Sequence, residues 1–64
     1  MLANFIVPAE QAEQLALAFG VAKAVTILEE QAWKWFSGQI WDRTAWKMAF
    51  DKTADEYIFR LVPA

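Results

Sequence analysis

The chain contains no cysteine and no histidine, and both absences close off chemistry. Without cysteine there is no disulfide to staple a small fold and no cue to redox compartment. A zinc site would have to be built from carboxylates alone, which is unusual for that metal. Proton-transfer catalysis loses its commonest group, and covalent catalysis loses one of its usual nucleophiles. One serine remains, Ser37, but it precedes Gly38 at an expected helix end and reads as a turn residue. Carboxylate pairs occur at Glu29/Glu30, Asp51/Asp55 and Asp55/Glu56. Such pairs do acid–base work only in a cleft that sets them face to face. So short a chain has little room for a pocket of about 300 Å3. No phosphate-binding loop, calcium loop or dinucleotide fingerprint is present. The expectation is a non-enzymatic protein without metal or cofactor.

Positive charge is also scarce. Eight acids outweigh six bases for a net charge of −2, whereas a polyanion-binding surface normally carries a basic excess. A long apolar run is missing too. The longest mostly apolar stretch, residues 15–28, contains Lys23, and a spanning helix needs about 20 apolar residues. Glu10 and Glu13 precede it, the wrong sign for a signal peptide. These features point to a cytoplasmic protein with no membrane partner.

What the chain does have is apolar bulk. It is 58% hydrophobic and 16% aromatic with two glycines and two prolines, which excludes a disordered chain. Its 64 residues make one domain, 1–64. A chain this short buries only ~60% of the surface its unfolded form exposes. With disulfides and metals set aside, oligomerisation or packing on a partner is the support left. All four tryptophans, Trp33, Trp35, Trp41 and Trp46, fall within residues 32–46.

Asn4–Val7 is a short apolar run ending at Pro8, suited to a strand or extended arm. Pro8 fits the first position of a helix, where its missing N–H costs nothing, and Glu10 and Glu13 complement the helix dipole. Wound at the helical period, Glu10, Glu13 and Gln14 share one side, with Ala12, Leu15, Ala16 and Phe19 opposite. Beyond Gly20 the sides exchange. Lys23, Glu30 and Lys34 take the formerly apolar direction, and the new apolar stripe is Val21, Ala24, Val25, Leu28, Ala32, Trp35 and Phe36. A break at Gly20 resolves the conflict. Two helices are expected, about 8–18 and 21–36, the second closed by Ser37-Gly38 and supported by a Glu30–Lys34 pair. Trp33 lies off the stripe, toward Lys23, Thr26 and Glu30. It is left largely in water in a lone monomer unless it packs under the C-terminal segment. Leu17 is similarly misplaced among Glu10, Glu13 and Gln14.

In residues 44–50 the residue types favour a helix. Alternation nevertheless sets Trp46, Met48 and Phe50 on one face of a strand. Residues 56–62, rich in aromatic and β-branched types, suit a strand closed by Pro63. Against this, Thr53-Ala-Asp-Glu56 has the form of a helix-opening capping box, and the stretch has no glycine to signal a hairpin. The fold class expected is α+β, a two-helix corner with a small sheet from the N- and C-terminal strands. An all-α small bundle is the alternative.

Leu15, Ala16, Gly20 and Val21, followed by a second helix, resemble a helix-turn-helix core, which would imply a DNA-binding regulator. The chain departs from the pattern at Thr26 and Glu29, where apolar residues belong. The would-be recognition helix also carries Glu29 and Glu30 and offers no Arg or Asn to read a base edge. A Trp-rich membrane-active peptide is a lesser alternative, set back by polar faces of mixed sign. The leading expectation is a small interaction protein that blocks or bridges a partner protein, or pairs with itself as a homodimer. Trp33, Leu17, Trp41 and Trp46 are the candidate anchors, with Arg43 as a polar anchor, since Trp and Arg commonly carry binding energy.

Overall fold

Pro8 is where the first strand stops and the first helix begins. The computed structural model describes residues 3–64. It runs β1 (Phe5–Pro8), α1 (Ala9–Phe19), α2 (Val21–Phe36), a single 3-10 turn (Arg43–Ala45), β2 (Trp46–Lys52) and β3 (Glu56–Pro63). The fold is α+β, two helices with an antiparallel three-stranded sheet in the order β1-β3-β2. The helix therefore starts one residue later than proline's usual position suggested. Pro8 is extended (φ −57°, ψ 137°) and pairs with Glu56. The first N–H of α1, on Ala9, donates to the Asp55 carbonyl at 2.9 Å, so the hairpin tip supplies one partner that a helix start lacks.

The break at Gly20 is present and is one residue wide. Gly20 has φ +89° and ψ 157°, a region only glycine enters without strain. Its N–H donates to Ala16 O at 2.8 Å, and its carbonyl accepts the Ala24 N–H at 3.0 Å. One residue thus ends α1 and starts α2, and the chain reverses which side it buries, as the exchanged stripes require.

The sheet turns Val7, Tyr57, Phe59 and Leu61 inward. There they meet Ala9 and Ala12 of α1 and Leu28, Ala32 and Phe36 of α2 in one apolar cluster. Phe36, Phe59 and Leu28 are the largest side chains fully removed from water. α1 lies over β1 and β3, and α2 reaches β1 through Trp35, whose ring sits 5.6 Å from that of Phe5.

Several residues of the expected stripes end up wet. Val21 and Phe19 are 67% and 52% exposed. They flank Gly20 at the helix corner, where no third element lies opposite. Trp35 is 42% exposed because β1, only four residues long, covers part of its ring. Glu30 and Lys34 share an exposed face without closing an ion pair. Among the described residues the one salt bridge joins Arg60 Nε to Asp51 Oδ2 at 3.1 Å on the outer face of the sheet.

The Thr53–Glu56 segment opens no helix. It closes the β2–β3 hairpin with the same bond a capping box would use. The Thr53 Oγ1 accepts the Glu56 N–H at 3.0 Å, while the Thr53 N–H donates to Glu56 O at 2.8 Å. The chain then extends because Tyr57, Phe59 and Leu61 alternate toward the core.

Candidate partner-binding surface

Trp33 points away from the α2 stripe, and the connection after the helix folds back over it. Ser37 ends α2, its hydroxyl donating to the Lys34 carbonyl at 2.7 Å. The chain turns through Gln39, whose N–H donates to Phe36 O at 2.8 Å. Asp42 then starts the 3-10 turn, its Oδ1 accepting from the Thr44 N–H (2.9 Å) and the Thr44 hydroxyl (2.6 Å). These bonds, the hydroxyl's first, hold the Asp42 carboxyl below its ordinary pKa of 3.8. The turn delivers Arg43 onto the Trp33 ring, with the guanidinium carbon 4.2 Å from the ring centroid. A cation over an indole at this distance is worth about 0.5–1 kcal/mol at an exposed site.

Trp33 is therefore half-buried, packed partly on the core and partly under Arg43. The expectation that it stands largely in water in a lone monomer is corrected. Trp33 packs on the core and under Arg43 of the connection, which precedes the C-terminal strands. The indole that does stand in water is Trp41, fully exposed.

Between α2 and the connection runs an open groove of about 600 Å3, lined by Glu30, Trp33, Lys34, Ile40, Trp41 and Arg43 among others. The expectation that so small a chain has little room for such a volume gives way, because the space lies on the surface and not inside the fold. Comparison with known proteins finds no matching family model, no similar curated protein and no similar solved structure.

Of the five candidate anchors, the structure brings together Trp33, Trp41 and Arg43. Trp46 stands apart, partly buried on the inner face of β2 against the core. Leu17 also stands apart. It is 88% exposed beside Gly20, and α2 advances about 20 Å from that turn before reaching Trp33. Leu17 lies on the opposite side of α1 from Phe19, whose ring centroid is 5.5 Å from the Lys23 ammonium. Sequence reading passed over Ile40 and Lys34 as lining residues. Ile40 lies in the irregular connection, where no period assigns a face. No helix among the described residues is long and apolar enough to cross a membrane.

Proposed function

We propose that this is a non-enzymatic interaction protein, acting by binding and so blocking or bridging a partner protein. The partner closes over the groove between α2 and the 37–45 connection. Trp41 is the main anchor, Trp33 the second apolar anchor and Arg43 the polar anchor. One observation carries the reading: a tryptophan fully in water lines a groove together with a second, half-buried tryptophan. A buried indole removes ~150–250 Å2 from water, and interface tryptophans commonly cost 2 kcal/mol or more when truncated. On this reading the protein works in the cytoplasm, and its self-association as a homodimer is a separate property.

Trp41→Ala tests the proposal, because the side chain it removes touches little of the fold. Proteins retained by the immobilised wild type should be lost or reduced at least ~10-fold on the variant, with unchanged circular dichroism. Equal retention by the two would refute the groove as the binding surface.

A further inference from the structure

The two edges of the sheet are not alike. In an antiparallel sheet, residues exchanging both backbone bonds with a neighbour alternate with residues whose N–H and C=O point the other way. The Thr53–Glu56 and Ala64–Ala45 bonds fix that alternation for β2. Its odd-numbered residues bond to β3, so Trp46, Met48, Phe50 and Lys52 turn their backbone groups to the free edge. The Trp46 N–H is taken by the Arg43 carbonyl. Among the described residues no backbone bond from outside the sheet reaches Met48, Phe50 or Lys52. β1 presents a much smaller edge, four residues long and ending in Pro8, which has no N–H to offer. β2 is seven residues long, with no proline and an unbroken register against β3.

We propose that β2 pairs with β2 of a second copy, antiparallel about a twofold axis through Ala49, joining the two sheets into one. This rests on the proposed self-association but not on the groove, which it leaves open. The register centred on Ala49 sets Trp46 opposite Lys52, where the Trp46 N–H is already taken, and brings Met48, Ala49 and Phe50 into the full ladder. It sets Met48 opposite Phe50 of the other copy, so the backbone groups that face outward bond to each other. On the inner face each Phe50, 40% exposed in the single chain, gains a methionine neighbour. On the outer face, Lys47 of each copy lies opposite Asp51 of the other, at the close spacing of a non-hydrogen-bonded pair. Asp51 holds Arg60 through Oδ2, leaving Oδ1 for the lysine. At the axis, alanine meets alanine. A strand carrying Lys-x-Ala-x-Asp about its own centre is charge-complementary to itself only when antiparallel and in this register.

The test is sedimentation velocity across a dilution series. Wild type should dimerise. Lys47→Glu sets one acid against each Asp51, and Asp51→Lys sets two lysines together. Each alone should weaken the dimer at least ~10-fold. An equimolar mixture of the two variants should recover it, because both cross-pairs are then opposite in sign. Ala49→Glu is the second probe. It faces Arg60 within its own sheet, so the monomer stays folded, but it sets two carboxylates together at the axis and should also abolish the dimer. A monomeric wild type at every concentration overturns the proposal and leaves the groove reading intact. So does a dimer indifferent to Lys47→Glu and Ala49→Glu. A dimer lost in Trp41→Ala but kept in Lys47→Glu overturns the edge and assigns self-association to the groove. A mixture that fails to recover, although both variants are folded, also refutes the register.

Discussion

Replacing Gly20 with alanine isolates a backbone cost from a packing cost. A Cβ at this position would meet nothing within 4 Å, so no clash contributes. What remains is the conformation itself, φ +89° with ψ 157°, where a non-glycine residue is strained by about 1–3 kcal/mol. Alanine also stiffens the unfolded chain, which returns ~0.4–1 kcal/mol. The net loss for Gly20→Ala falls within about 0–2.6 kcal/mol, and its midpoint of ~1.3 kcal/mol is equivalent in a domain this small to a fall of ~5–10 °C in Tm. Gly38→Ala is the internal control. It also meets open space, and its φ is not positive, so it should be neutral or stabilising by up to ~1 kcal/mol. Urea unfolding of both, followed by far-ultraviolet circular dichroism, reads the difference. Equal stability of the two variants would refute the strain argument. A Gly20→Ala protein more stable than wild type and richer in helix would show that α1 and α2 can run on as one helix.

The remaining predictions concern the core and the connection. Phe59 is fully buried and its ring lies 5.0 Å from Phe50 and 6.3 Å from Phe5. Phe59→Ala should cost about 3–5 kcal/mol, enough to unfold so small a chain, read as loss of amide dispersion in the NMR spectrum. A native-like spectrum would refute the central place given to β3. The Asp42 carboxylate has a folded pKa below its unfolded one, so its contribution is complete above the ordinary value of 3.8 and fades as pH falls through the lowered value. As the turn loosens in acid, Arg43 leaves Trp33 and tryptophan emission should shift. Asp42→Ala should show the shifted spectrum already at neutral pH. An acid transition unchanged in that variant would assign it to another group.

The helix break was legible because Gly20 sits where wet and dry sides exchange, and a single helix cannot reconcile Glu13 with Lys23. β3 was legible because Tyr57, Phe59 and Leu61 alternate among residue types that favour strands. The 44–50 segment was ambiguous for a physical reason. Alanine, lysine and methionine form helices readily, and only pairing with β3 decides for the strand. Thr53-Ala-Asp-Glu56 misled because a threonine hydroxyl bonding the third N–H onward serves a helix start and a tight turn equally well. Helical winding also assumes that something lies opposite each apolar residue. At Phe19 and Val21 nothing does, and over Trp35 a short strand does so only in part. Trp33 and Arg43 were named as candidates, but their stacking depends on Asp42 and Thr44 bending the connection. No periodicity encodes that bend.

The sheet order carries a consequence for how the chain acquires its shape. β3 is the central strand yet follows every other described element in the chain, and Phe5 must wait for Phe59. While the chain is being made, α1 and α2 can close on each other through Gly20 within microseconds. β1 and β2 have no partner in that interval. β2 and β3 then close as a local hairpin, whereas the pairing of residues 5–8 with 56–59 is the long-range contact that slows folding. Until β3 is made, Tyr57, Phe59 and Leu61 are absent and one side of the helix pair stays open to water. The protein's most vulnerable moment falls just before β3 arrives.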